Sequence, residues 1–165
     1  MEVRTVDGFL SFYEGVREGT NRILRVIPPE QMDWSYMPGK FTIADIIRHI
    51  AAIERYLFAQ KLLDGTVAYK GCGKELADGY ENVLAYFNRM HEESVKIFSS
   101  LNDEDLQRKI TTMNGKETET GKFLRALIIH ESHHRGALSI YLNMLHISVP
   151  PVFGVTSEQI IQISK

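Results

Sequence analysis

The feature that most constrains this fold is the recurrence of apolar residues at steps of three and four along four long segments. This spacing places the apolar side chains on one face of an α-helix. It predicts helices over about residues 7–27, 42–63, 80–101 and 120–145. In the first helix, the apolar face carries Phe9, Phe12, Tyr13, Val16, Thr20, Ile23, Leu24 and Ile27. Four long amphipathic helices in one chain predict an all-α fold, a four-helix bundle.

Short sequence signals predict where helices begin and end, and one hairpin. Pro28-Pro29 ends the first helix and Asp64-Gly65 the second. Thr42 with Asp45 can cap the second helix, because these side chains satisfy free backbone donors at its N-terminus. Asn114-Gly115 favours a tight turn, which predicts a small β-hairpin between helices three and four. Thr156 begins a short helix near the C-terminus.

Composition narrows the classes of function. The 165 residues, 44% of them hydrophobic, suit one domain spanning residues 1–165. The 19 basic and 21 acidic residues are mixed along the chain, so no basic stripe is available to neutralise phosphates. No apolar run reaches the roughly 20 residues of a membrane span, and the N-terminus lacks the pattern of a signal peptide. A single cysteine, Cys72, suits a reducing compartment. We therefore expect a cytoplasmic protein that binds neither nucleic acid nor membrane.

Two histidines share the predicted core face of the fourth helix. At about 100° per residue, His130 and His134 fall within the stripe formed by Phe123, Leu127, Ala137, Tyr141 and Leu145. A buried ring nitrogen without a partner costs about 1–3 kcal/mol, whereas two histidines four apart can reach one metal ion. A third ligand must come from another element. His49 is the best candidate, because it lies at the edge of the apolar stripe of the second helix.

This pattern leaves alternatives open. A His-x-x-x-His pair is a weak signal by itself, and His49 beside apolar residues also suits a hydrogen-bonded core histidine. His133 is expected on the flank of the stripe, facing a neighbouring group or solvent. Cys72 lies between glycines in a loop that we expect to be exposed, and it is an alternative soft ligand. His91 and His146 are expected at the surface.

Three blocks of the sequence resemble the DinB/YfiT-like superfamily, a group of metalloenzyme-like bundles. They are Phe41-Thr42-Ile43-Ala44-Asp45-Ile46-Ile47-Arg48-His49-Ile50, His130-Glu131-Ser132-His133-His134-Arg135-Gly136-Ala137-Leu138 and Pro150-Pro151-Val152-Phe153-Gly154. The resemblance extends over nearly the whole chain. It implies a four-helix bundle with up-down-down-up topology, and a homodimer. It also implies one divalent metal ion, often nickel or zinc, bound by His49, His130 and His134.

The same resemblance bears on activity. Three neutral imidazoles leave a divalent ion with an open position, where a bound water or thiol loses its proton more easily. Because relatives include transferases and isomerases that use a small thiol such as bacillithiol or mycothiol, we expect metal-dependent transfer of a low-molecular-weight thiol to an electrophile. Trp34, Tyr36 and Lys40 are candidates for the mouth of the site. Trp34 suits a core position equally well, and Lys40 a solvated loop.

Two other functions stay open at this point. A metal-dependent hydrolase would need Glu131 or His133 to reach the bound water. Glu131 lies about 80° from the centre of the stripe, and we expect it to pair with Arg135 on the helix surface. The third function is a non-catalytic, stress-related metal-binding bundle. A protein side chain at the fourth coordination position would favour that function over both enzymes.

Overall fold

The computed structural model describes residues 3–152 and 154–165; Phe153, part of the third family-like block, lies outside the described residues. The α-helices of the described residues are α1 (Val6–Leu24), α2 (Ile43–Ile53), α3 (Gln60–Asp64), α4 (Tyr80–Phe98), α5 (Thr120–Met144) and α6 (Ser157–Ile163). A π-helical segment, Glu54–Ala59, joins α2 to α3. The predicted second helix is therefore one continuous helix with a π-helical middle. Short 3-10 helices span Pro29–Gln31 and Asp103–Gln107.

The long helices form the predicted four-helix bundle. In it α1 packs against α5, and α2 packs against both α4 and α5. The bundle has two clusters of buried apolar residues, one built mainly from α2, α4 and the second half of α5. The other joins the start of α1 to the π-helical segment and the first half of α5. None of the helices among the described residues combines the length and the hydropathy that a membrane crossing requires.

The local signals that sequence analysis identified are present. The Thr42 hydroxyl accepts a hydrogen bond from the Asp45 amide, and the Asp45 carboxylate accepts one from the Thr42 amide. Gly65, at φ 82°, ends α3 in the left-handed conformation that glycine adopts readily. Strands β1 (Lys109–Thr111) and β2 (Glu117–Glu119) pair antiparallel across the Asn114-Gly115 turn. Thr156 caps α6 through the Gln159 amide.

The first helix differs from its prediction in length and in one core residue. It ends at Leu24, three residues before Ile27, and tighter 3-10 bonds continue the chain to Ile27. Phe12, expected in the core, is 46% exposed, whereas Arg17 is only 2% exposed. The core face of α1 is thus rotated toward Arg17, because buried acidic residues on two other helices surround this guanidinium group.

Candidate metal centre

Three histidines from two helices meet inside the bundle. His49 lies on α2, and His130 and His134 lie one turn apart on α5. Their ring centroids are 5.0 Å (His49–His130), 4.6 Å (His49–His134) and 4.5 Å (His130–His134) apart. All three rings are partly buried, with one ligand nitrogen from each within 4.8 Å of the others. The structure therefore brings together the three residues predicted as ligands.

The spacing of the nitrogens fits a divalent ion. The Nε2 atoms of His49 and His130 lie 3.1 Å apart. Two imidazole nitrogens that bind the same zinc ion at about 2.0–2.1 Å are roughly 3 to 3.5 Å apart. The Nδ1 atom of His130 is buried without a hydrogen-bond partner among the described residues. This nitrogen is not the one that faces His49, so an ion would be shared through the Nε2 atoms and would satisfy their lone pairs.

The electrostatics keep these rings neutral. Burial, followed by the nearby His134, His49 and His133, lowers the pKa of His130 to about 3. Burial and the rings of His49 and His133 lower the pKa of His134 to about 4. Burial also lowers the pKa of His49. At neutral pH each ring thus keeps a free lone pair, which is the form that binds a metal ion.

A tyrosine fixes the orientation of His49. The Tyr69 hydroxyl lies 2.8 Å from Nδ1 of His49. When the hydroxyl oxygen accepts the Nδ1–H of His49, Nε2 is left as the free nitrogen. Burial and Cys72 raise the pKa of Tyr69 to about 12, so the hydroxyl keeps its proton. Partners of this kind orient metal-binding histidines in other proteins.

A buried arginine holds the loop that carries Tyr69. Arg48 is fully buried beside His49. Its Nε and Nη1 donate to the backbone carbonyls of Cys72 and Ala77 at 2.7 and 2.8 Å, and Nη2 contacts Asp45 at 2.6 Å. Sequence analysis gave Arg48 and Tyr69 no role, because the partners of Arg48 are backbone carbonyls in an irregular loop.

Cys72 does not have the position expected of it. The sequence suggested an exposed loop cysteine, but Cys72 is buried, since the Arg48 bonds draw this loop onto α2. Burial raises the pKa of its thiol, so the thiolate that binds metals is disfavoured. Cys72 is also absent from the group of potential ligands that contains the three histidines. Its role as an alternative ligand is therefore not supported by the geometry.

The position of Glu131 also differs from its prediction. It was expected at the helix surface paired with Arg135, but it is fully buried. Its carboxylate accepts a hydrogen bond from Thr20 at 2.6 Å and forms an ion pair with Arg17 at 3.0 Å. Arg135 instead donates to the backbone carbonyl of Val16. The carboxylate of Glu131 is thus turned toward α1 and away from the histidines.

The same buried ion network includes Glu54, the first residue of the π-helical segment. Arg17 forms a very short ion pair with Glu54. His91, expected at the surface, is largely buried and places Nδ1 2.8 Å from Glu54 and Nε2 3.0 Å from Glu14. We call Arg17, Glu54, His91 and Glu131 the ion network. The other two non-ligand histidines, His133 and His146, are exposed as expected.

Aromatic residues lie beside the histidines. Trp34 is partly buried and contacts Tyr141 edge-on, while Tyr36 is exposed and contacts the same ring. Lys40 is an exposed loop residue. Phe41 contacts a candidate ligand directly, with its ring centroid 5.6 Å from that of His49. Sequence analysis did not single out Phe41, although it directly precedes the cap of α2.

A four-helix bundle with three inward-facing histidines defines a class of candidate metalloproteins, and comparison with known proteins places the chain within one family. The model of the DinB superfamily matches residues 13–138. The chain belongs to the DinB superfamily.

Individual relatives agree with this assignment. YjoA of Bacillus subtilis is 27% identical over 86% of this chain and 92% of its own length. A DinB-like protein of Bacillus cereus has a crystal structure that aligns with a TM-score of 0.73 at 21% identity, covering 90% of this chain and 98% of the other.

Two further solved structures share the fold. YfiT of Bacillus subtilis, described as a probable metal-dependent hydrolase with an unusual four-helix bundle topology, aligns with a TM-score of 0.63 at 18% identity, covering 87% of this chain and 89% of YfiT. A mycothiol-dependent maleylpyruvate isomerase aligns with a TM-score of 0.54 at 20% identity, covering 79% of this chain and 60% of the isomerase. At these identities the likeness establishes a shared fold.

Proposed function

We propose that this protein is a metal-dependent enzyme in which His49, His130 and His134 hold one divalent ion, nickel or zinc. The observation that carries the proposal is the convergence of three neutral imidazoles without a fourth ligand. Among the described residues, the group of potential ligands at this site contains these three histidines alone. Catalytic metal sites have this composition, with three protein ligands and one open position.

The reaction that we propose is transfer of a low-molecular-weight thiol to an electrophile. An ion held by three neutral imidazoles supplies a Lewis acid that lowers the pKa of a thiol or water at its open position. The chain itself orients His49 through Tyr69 and limits access of water on the side covered by Phe41. During transfer the S–H proton passes to solvent and the sulfur forms a bond to the electrophilic carbon. The bond from that carbon to its leaving group breaks at the same time, and the leaving group departs with the bonding pair and takes up a proton from solvent.

Thiol transfer is favoured over hydrolysis by what surrounds the histidines. A hydrolase usually places a general base next to the attacking water. The adjacent carboxylate, Glu131, is committed to Thr20 and Arg17, and His133 is exposed. A thiol bound to such an ion needs no such base, because coordination deprotonates it outright, whereas bound water still titrates near pH ~7. The shared fold with a mycothiol-dependent isomerase supports the same choice.

Hydrolysis is the second candidate, because the chain shares its fold with YfiT. Cobalt substitution separates the two reactions. The metal-free protein is loaded with cobalt and titrated with 2-mercaptoethanol while its absorption is recorded. A new near-ultraviolet band from sulfur bound to cobalt supports the thiol proposal. Unchanged spectra with every thiol tested, together with metal-dependent ester cleavage, would replace it with the hydrolase.

A third outcome is a non-catalytic metal-binding bundle. It would appear as bound metal with neither a thiol response nor hydrolysis. In that case removal of the metal should lower stability strongly, because a structural ion contributes directly to the free energy of folding. A catalytic ion should be removable with the bundle largely intact, since two apolar clusters support the fold.

A further inference from the structure

Four aromatic residues are linked by a chain of contacts that starts at a candidate metal ligand. We call Trp34, Tyr36, Phe41 and Tyr141 the aromatic rim. The ring of Phe41 contacts that of His49, and the backbone carbonyl of Phe41 accepts a hydrogen bond from the Tyr141 hydroxyl at 3.1 Å. Trp34 and Tyr36 contact the Tyr141 ring at centroid distances of 5.3 and 5.8 Å. The loop before α2 and the helix α5 are thereby joined beside the histidines.

The rim contains two residues that are buried or partly buried and two that are exposed. Tyr141 is 8% exposed and Trp34 is partly buried, so these two residues anchor the surface. Phe41 and Tyr36 are 44% and 45% exposed. Tyr141 follows His134 by seven residues, so both side chains lie on the same face of α5. The rim therefore extends from His49 toward solvent. Nearly half of the surface of Phe41 and of Tyr36 is accessible to a ligand.

The charged residues adjacent to the ligands in sequence are engaged elsewhere. Arg48 donates to the backbone carbonyls of Cys72 and Ala77. Glu131 forms an ion pair with Arg17, and Arg135 donates to the backbone carbonyl of Val16. The surface that Phe41 exposes beside His49 is therefore aromatic.

We propose that the aromatic rim binds an uncharged, ring-bearing part of the substrate while its reacting atom reaches the three histidines. This inference rests on the proposed function and specifies its substrate class, a molecule that carries an aromatic or similarly apolar group. Apolar contact with a ring and the preferred geometries of aromatic pairs provide the affinity. Phe41 determines specificity, because its ring contacts a ligand histidine and the residue is also 44% exposed to solvent.

The test compares two neutral thiols that differ in the presence of a ring. Cobalt-loaded protein is titrated with benzyl mercaptan and with 2-mercaptoethanol, and dissociation constants are taken from the cobalt spectrum. We expect benzyl mercaptan to bind about tenfold more tightly after correction for the thiol pKa values. Phe41→Ala should reduce this preference to less than about threefold. Tyr36→Ala should reduce it partly.

The matched control is Phe12→Ala. Phe12 is 46% exposed, close to the value for Phe41, but it lies on α1 and belongs to no rim contact. This variant should keep the full preference. Equal affinity of the wild-type protein for the two thiols, or a preference that survives Phe41→Ala, would overturn the rim proposal.

A sulfur-free probe keeps the two proposals distinguishable. Trp34 is the single tryptophan of the chain and contacts the rim, so its emission reports on ligands bound there. Benzyl alcohol should change this emission saturably in the wild-type protein and in Phe12→Ala, and more weakly in Phe41→Ala. If cobalt shows no sulfur band but this response is present, thiol transfer fails and the rim site stands. If the sulfur band forms without any ring preference or emission response, the rim proposal fails alone.

Discussion

At the scale of single residues, a hydrogen bond joins Tyr69, in an irregular loop, to His49 of the candidate metal centre. Tyr69 lies in the connection between α3 and α4, where periodicity carries no information. Its hydroxyl nevertheless lies 2.8 Å from Nδ1 of His49. Removing a partner of this kind typically weakens metal binding by about 10- to 100-fold.

Tyr69→Phe should therefore weaken metal binding by about tenfold, because His49 loses the partner that fixes its tautomer and orientation. The affinity is measured by competition with a chromophoric chelator. Tyr80→Phe, which removes a hydroxyl elsewhere in the bundle, is the matched control and should leave the affinity unchanged. Wild-type affinity in Tyr69→Phe would show that this hydrogen bond does not support the ligand.

His91 gives a prediction about pH. Burial by itself lowers the pKa of His91, but the hydrogen bond and charge of Glu54, with help from Glu14, raise it above the ordinary 6.5. A raised pKa means that the folded protein holds the proton more tightly than the unfolded chain does. The stabilisation is complete below pH 6.5 and is lost as the pH rises through the folded-state value.

The free energy of unfolding should accordingly fall as the pH is raised above 6.5, and His91→Gln should remove this part of the decline. Urea denaturation of metal-free protein at several pH values measures the effect. His146→Gln, at an exposed position, should retain the wild-type dependence. Identical pH profiles for wild type and His91→Gln would contradict the assignment of a charged His91.

The site residues show which signals a sequence can carry. His130 and His134 were identifiable because their spacing and the apolar stripe belong to the same helix. Glu131 was misplaced because one apolar face was assumed for α5, which in fact packs against both α1 and α2. A second stripe marks the other face, and it consists of Leu124, Ile128, Leu138 and Leu142. Read with this stripe, Glu131 would have been placed in the interior.

At the scale of elements, the π-helical segment Glu54–Ala59 coincides with the ion network. Its first residue, Glu54, is fully buried and pairs with Arg17 of α1 and His91 of α4. Glu131 of α5 pairs with the same arginine. Four helices are thus joined by one set of buried charges between the two apolar clusters. Sequence periodicity predicted the helix but neither its π-helical middle nor this network, which depends on contacts between distant helices.

Glu54→Ala should destabilise the protein by about 3–5 kcal/mol, because it leaves Arg17 and His91 buried with fewer counter-charges. Chemical denaturation at constant pH measures this change. Glu18→Ala is the control, since Glu18 forms an exposed ion pair with Arg25, and such pairs contribute little. Equal stability of the two variants would show that the ion network is not a major contributor to the fold.

At the scale of the whole molecule, α5 presents an uncovered apolar face. Ile129, Ile140 and Met144 are 60%, 60% and 51% exposed and lie within about 60° of one another around the helix. Family resemblance implies a homodimer, and exposed apolar surface of this kind is typical of association sites. We predict that this face forms the dimer contact.

Sedimentation equilibrium should thus detect a dimer that Ile140→Glu converts to a monomer, because a charge would be buried in the contact. Ile161→Glu, at a 59% exposed position on α6, is the matched control and should remain dimeric. A wild-type monomer, or an Ile140→Glu variant that stays dimeric, would exclude this face as the interface.

The central claim, one divalent ion held by three histidines, is tested most directly by the metal content of untagged protein purified without chelator. Inductively coupled plasma mass spectrometry should find about one nickel or zinc ion per wild-type chain and per His133→Ala chain. His49→Ala, His130→Ala and His134→Ala should each lose tight binding while their circular dichroism remains helical. Metal-free wild-type protein that does not take up added nickel or zinc, or loss of metal in His133→Ala with retention in His130→Ala, would contradict the account.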